Sequence, residues 1–108
     1  RNALEIASRY SFIYATLGVH PHNAAGCDRA AIDFIEKNAV NAKAVALGEM
    51  GLDFFRNRSP RASQRSCFRD QLGLARSLKM PVVIHDRDAH EPIMRILREE
   101  KSRFGICL

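Results

Sequence analysis

The chain has 108 residues, enough for one small domain. Its 46% hydrophobic and 27% charged residues are those of a globular protein, and no run approaches the ~18 consecutive apolar residues of a transmembrane helix, which argues against a membrane partner. The net charge of +5 suits an anionic partner such as nucleic acid, but the basic residues are spread along the chain, as on solvated helix faces.

The chain opens in a helical stretch around Ala3–Ala7. Phe12–Val19 is rich in β-branched and aromatic residues and reads as a strand. Asp28 then offers an N-cap to a helix in which Ile32, Ile35 and Ala39 recur at helical spacing. Lys43–Gly48 is a short apolar run, hence a buried strand. Ser59 and Pro60 mark the next helix start, serine as N-cap and proline at the first helical position. From there Phe68, Leu72, Ala75 and Leu78 form one apolar stripe. Pro81 stops the helix, and Val82–Ile84 makes a third strand. Pro92 opens a further helix with Ile93, Ile96 and Leu97 on one face, and the apolar residues Phe104–Leu108 start a fourth strand.

The order β-α-β-α-β-α-β predicts an α/β fold of about four parallel strands joined by crossover helices. The strands are apolar throughout, as expected when helices or a barrel interior cover both faces. Gly48-Glu49-Met50-Gly51 lacks the GxGxxG spacing, so a dinucleotide-binding fold loses its best support. A barrel-type arrangement or an open sheet remains. Cys27, Cys67 and Cys107 are widely spaced, and no CxxC pair exists for a zinc ribbon. An odd cysteine count without a signal peptide predicts a reducing, cytoplasmic setting.

The polar residues of interest sit where apolar runs end. Glu49 follows Gly48, and His85 follows Val82–Ile84; a carboxylate and an imidazole at strand ends are what a metal site at a barrel mouth requires. Glu49 could bridge two ions or, more simply, cap a loop. His85 could be a ligand or a hydrogen-bonded structural residue. His20 and His22 flank Pro21, which stiffens their loop; they could bind metal, contact phosphate or donate a proton. Asp53 is placed to orient a ligand from behind. Arg87, two residues beyond His85, brings a guanidinium suited to a bidentate phosphate contact to the same mouth, and Arg56 is a weaker candidate for that role. His90, at a helix start, reads as a capping or surface residue.

Together these segments resemble the TatD family of metal-dependent deoxyribonucleases, within the amidohydrolase-like barrels. Gly18-Val19-His20-Pro21-His22 is similar to the family's GxHPH segment. Ala46–Asp53 is similar to its GE-x-GLD motif, and Val83–Ala89 with Glu91 to its H-x-R-x-A-x-E signature. Gln64, Phe68–Leu72 and Leu74-Ala75 match the helix between them. The resemblance implies a partial TIM-like (β/α) barrel with one or two divalent ions, magnesium, manganese or zinc, per complete site. It carries over Glu49 and His85 as metal ligands and catalytic residues. Arg87, His20 and His22 are then expected to face the substrate phosphate, with Asp53 behind the ligands. The family's H-x-H pair, its later histidine and its late aspartate have no counterpart here. Residues 1–108 therefore read as an incomplete barrel domain, lacking the first strand and the C-terminal half, against about 250 residues for a whole barrel.

The function expected from this resemblance is hydrolysis of DNA phosphodiester bonds, with DNA as the substrate partner. With two ligands the isolated chain is expected to be inactive and to self-associate through its open sheet edges. Two other readings stand beside it: a non-catalytic truncated fragment, and an amidohydrolase-like enzyme acting on a small molecule.

Overall fold

The structure, a computed structural model, describes residues 2–9, 15–41 and 43–104. In chain order it contains helix α1 (Asn2–Arg9), strand β1 (Ala15–Leu17), a short 3₁₀ segment (Pro21–Gly26), α2 (Arg29–Asn38), β2 (Ala44–Asp53), α3 (Arg61–Leu78), β3 (Val82–Arg87) and α4 (His90–Phe104). The strands form one parallel sheet in the order β1-β2-β3. Each connection between them crosses over through helix, so the expected α/β architecture holds, as part of a TIM-like barrel. The described residues contain three strands rather than about four. The expected fourth strand falls at residues 105–108, and the first part of the expected opening strand at residues 12–14; both lie outside the described residues.

Helix α3 packs along the sheet and closes the core over it. Phe68, Leu72 and Ala75 are buried on it against Leu17, Leu47, Met50 and Leu52 of the sheet, and Ile93 and Ile96 of α4 join the same cluster. These fall at the helical spacings the sequence shows. Arg69 of α3 reaches α4, donating to Glu99 and, at 2.9 Å, to the buried Glu100. The sheet's opposite face is less covered than expected. Val45 is 47% and Val83 40% exposed there. A closed barrel fills its inner face with side chains from strands all round the ring, and three strands do not close one.

Besides β1, which ends at Leu17 rather than Val19, and β3, which runs past Ile84 to Arg87 and so includes His85, three element boundaries differ from the sequence expectation, each for a local reason. Asp28 caps α2 as expected, its carboxylate accepting from Ala31 N at 2.9 Å. Ser59, in contrast, does not cap α3, which begins one residue after Pro60. Its buried hydroxyl is committed to the 3₁₀ segment, donating to His22 O at 2.8 Å and accepting from Ala25 N at 3.0 Å. Helix α4 begins at His90 rather than at Pro92, because a proline in the first turn removes no intrahelical hydrogen bond. Most consequentially, β2 does not end at Gly48 but continues to Asp53, so Glu49 lies inside the strand.

That extension depends on glycine. Gly48 and Gly51 have φ of 158° and 144°, and Met50–Asp53 pair with Ile84–Arg87 of β3 after a register shift. At Gly51, paired with His85, a Cβ would lie 2.1 Å from the His85 carbonyl oxygen. That is backbone against backbone, with no flexible side chain to yield. Gly51→Ala should therefore cost about 3 kcal/mol or more, from strain at positive φ plus the clash. Its urea unfolding midpoint is the measurement; a midpoint equal to that of the unsubstituted protein would show that β2 and β3 can separate here freely.

Candidate metal and phosphate centre

The site forms where β1, β2 and β3 deliver side chains to one end of the sheet. His20 follows β1 and caps the 3₁₀ segment, its Nδ1 accepting from His22 N at 3.1 Å. Pro21 at the next position is buried and sets the turn. Glu49 projects from β2 and is half exposed. His85 comes from β3, directly beside Gly51. Potential ligand atoms of His20, Glu49 and His85 all lie within 4.8 Å of one another. Glu49 and His85 thus meet from neighbouring parallel strands, and His20 joins them.

Asp53 is the buried anchor beneath this cluster, 1% exposed. Its Oδ2 lies 2.9 Å from His22 Nε2 and 3.1 Å from His85 Nε2. Its Oδ1 accepts from Phe55 N at 3.2 Å and Arg56 N at 2.9 Å, and its own N–H donates to Gln64 Oε1 at 2.8 Å. Burial alone would push this carboxyl up. The Arg56 amide and the His22 and His85 hydrogen bonds outweigh it and hold Asp53 well below the usual carboxylate range.

The ionised carboxylate settles the ring tautomers. It can only accept, so Nε2 of both His22 and His85 must carry the proton. His85 is left with Nδ1 as its basic nitrogen, and a histidine that donates one N–H to a carboxylate while keeping the other nitrogen basic has the usual arrangement of a metal ligand. His20 is arranged the other way round. Its Nδ1 is already an acceptor, so in the neutral ring Nε2 bears the proton, 3.6 Å from Glu49 Oε1. Burial first, then His22 and His85, lower the His20 pKa from its ordinary value, with Glu49 and Asp53 opposing.

The remaining expected residues divide. His22 is turned towards Asp53, tying the 3₁₀ segment to β2. Arg87 does stand at the end of β3, paired in register with Asp53, and its guanidinium lies 4.3 Å from the Phe55 ring centroid. His90 is a surface residue 3.3 Å from Asp86. Cys27 and Cys67 are free thiols, and burial pushes both up from the ordinary thiol range.

Two residues that hold this geometry, Gln64 and Gln71, enter the sequence reading only as part of the matched helix, with no role at the site. Both are 1% exposed. Gln64 joins Asp53 N to Ser59 O, to which its Nε2 donates at 2.8 Å. Gln71 accepts from Val19 N at 2.7 Å and donates to Val19 O at 3.1 Å, immediately before His20. The available signal was spacing. Residues 64, 68, 71 and 75 lie on one helical face, so two glutamines interrupt a buried stripe and need partners there.

The donor set, two imidazoles and a carboxylate, fits a divalent transition metal. The comparisons agree with this chemistry. The family model of TatD-related DNases matches residues 1–108. The metal-dependent hydrolase YabD of Bacillus subtilis is 41% identical over 98 residues, covering 91% of this chain and 38% of that protein. The 3'-5' ssDNA/RNA exonuclease TatD of Escherichia coli is 42% identical over 97 residues, covering 90% of this chain and 37% of that protein. Among solved structures, the TatD homologue YjjV of Escherichia coli superposes with a TM-score of 0.84 at 29% identity, over 93% of this chain and 39% of that one. A TatD-family hydrolase of Entamoeba histolytica gives 0.76 at 29% identity, over 95% and 37%.

Stability should follow pH in a defined direction. Asp53 has its folded pKa below the ordinary 3.8, so its contribution is present above that value and is lost as pH falls through the folded pKa. His20 has its folded pKa below the ordinary 6.5, so the fold favours the neutral ring and that contribution, too, is lost on acidification. The metal-free protein should lose stability first below about pH 6.5 and again below about pH 4. His20→Gln should remove the first step alone. Urea midpoints across pH 3–8 measure this, and a midpoint that rises from pH 7 to pH 5 would contradict it.

The matched relatives are longer, this chain spanning less than two fifths of each. With the whole of residues 1–108 matched by the family model, and its motifs gathered at one end of a parallel sheet, the chain belongs to the TatD-related DNase family.

Proposed function

We propose that the protein carrying this chain is a metal-dependent hydrolase of nucleic-acid phosphodiester bonds, acting on DNA. The observation that carries the reading is the convergence of His20, Glu49 and His85 above the buried Asp53. Glu49 and His85 hold the metal, His85 through Nδ1. The mixed imidazole and carboxylate donors favour zinc or manganese over magnesium, which prefers oxygen ligands. When bound, such an ion supplies neutralising charge to the phosphoryl oxygens and an acidified water.

The chain's own residues do the rest. Asp53 holds the His85 ring in one tautomer and one plane. His20 presents an N–H at Nε2, suited to donate to a phosphate oxygen, and its Nδ1 bond to the His22 amide fixes the ring. Arg87 adds a guanidinium for the phosphate, and His22 is a further contact through Nδ1. A second reading of His20, as third metal ligand, is favoured by the 4.8 Å cluster. It requires the Nε2 proton to leave and the bond to His22 N to break, at about 1 kcal/mol for the bond.

With one carboxylate and one well-prepared imidazole, residues 1–108 alone hold an ion weakly, and we expect little cleavage from the chain by itself. The further ligands expected from the family resemblance then belong to the longer protein, in keeping with the span of the relatives. In the described sheet β1 and β3 are the outer strands, and we assign to their free edges a tendency of this chain to self-associate. No helix among the described residues is long and apolar enough to cross a membrane. The free thiols of Cys27 and Cys67 suit a reducing, cytoplasmic setting.

Cleavage of end-labelled single-stranded DNA in manganese, by the longest available form of the protein, tests the proposal. Glu49→Ala and His85→Ala should each lower kcat/KM by about 100-fold or more, and a chelator should abolish cleavage. His20→Ala should raise KM while leaving metal affinity unchanged. A metal affinity reduced by about tenfold or more in His20→Ala would instead establish the third-ligand role. Full activity in Glu49→Ala would refute the metal site.

A further inference from the structure

Just beyond the site, β2 leads into two consecutive phenylalanines among guanidinium groups. Phe54 is 9% exposed and belongs to the core, with Arg61 and Arg65 at 4.3 and 5.5 Å from its centroid. Phe55 is its opposite, with 55% of its surface in water. The Arg87 guanidinium lies 4.3 Å, and that of Arg56 5.7 Å, from the Phe55 centroid. Phe55 is also held in place. Its amide donates to Asp53 Oδ1, the carboxylate whose other oxygen meets His85. Arg87 leaves β3 at the residue paired with Asp53. The exposed ring, its guanidinium groups and the metal-binding cluster are therefore built on the same strand ends.

We propose that Phe55 is a base-stacking platform for a single-stranded nucleic acid, with Arg87 and Arg56 holding the flanking phosphates. The inference rests on the nucleic-acid hydrolase reading above and names where the strand lies. Phe55 contributes little to the core, so its exposure has no packing reason. An aromatic face among guanidinium groups is what unpaired bases and their backbone select: each base offers a π-face whatever its identity, and arginine neutralises phosphate while adding its own planar stacking. A duplex hides its base faces and cannot use the ring. Through its amide the turn carrying Phe55 is tied to the same Asp53 carboxylate that meets His85, so the platform and the histidine and glutamate cluster share one anchor.

The test is fluorescence anisotropy with labelled strands at low salt, with chelator present so that nothing is cleaved. The probes are an oligothymidylate of about ten nucleotides, an abasic strand of the same length and charge, and a duplex. Phe55→Ala should weaken oligothymidylate binding by about 5- to 100-fold and leave abasic binding within about twofold; Phe55→Trp should restore it. Arg56→Ala and Arg87→Ala should weaken both strands and flatten the salt dependence. Unchanged oligothymidylate binding by Phe55→Ala, an equal loss on the abasic strand, or equal Phe55 dependence for the duplex would each overturn the proposal. Phe55-dependent binding by a protein that never cleaves in metal would sink the hydrolase reading while leaving the stacking site standing.

Discussion

The carboxylate of Asp53 is where the site's separate pieces become one object. It is buried, it is ionised, and it accepts from two backbone amides and two imidazoles. Those donors come from the 3₁₀ segment, the turn after β2, and β3. Without them the same burial would favour the protonated acid, and a protonated Asp53 could not fix both rings as Nε2–H donors. The Nε2–H tautomer of His85, the docking of His22 and the position of Phe55 all follow from that one charge being satisfied.

Helix α3 supplies the next layer. Its hydrophobic residues bury the sheet, and its two buried glutamines grip the backbone on either side of the site, Gln64 at Asp53 and Gln71 at Val19. Amides suit this task because each offers a donor and an acceptor with no charge to desolvate. With the strand ends fixed by this helix as well as by Asp53, His20 and Glu49 keep part of their surface in water.

The fold was legible because its signals are local. Alternating apolar runs and amphipathic stretches placed α1, α2, α3, α4 and β3 within a few residues, and Asp28 capped its helix as expected. The motifs marked Glu49, His85, Asp53 and His20, and all of them meet at one end of the sheet. What the sequence did not reveal depends on long-range partners. Ser59 looks like a cap until the 3₁₀ segment claims its hydroxyl. Lys43–Gly48 looks like a finished strand because the pairing of Met50–Asp53 with β3 is set by distant backbone. Gln64 and Gln71 stand in the matched helix, but their backbone partners at Asp53 and Val19 are set by tertiary packing, and hydrophobicity says nothing about which way the Phe55 ring faces.

The chemistry assigned here rests on His85 binding metal through Nδ1 while Asp53 keeps Nε2. The proposed site is the pairing of a half-exposed carboxylate with a tautomer-locked imidazole. A crystal structure of the manganese-soaked protein, with anomalous scattering recorded at the manganese edge, tests this most directly. The account predicts an anomalous peak bonded to a Glu49 oxygen and His85 Nδ1, with the Asp53–His85 hydrogen bond retained. A peak on His85 Nε2 with Asp53 displaced, or an ion bound away from Glu49 and His85, would contradict it.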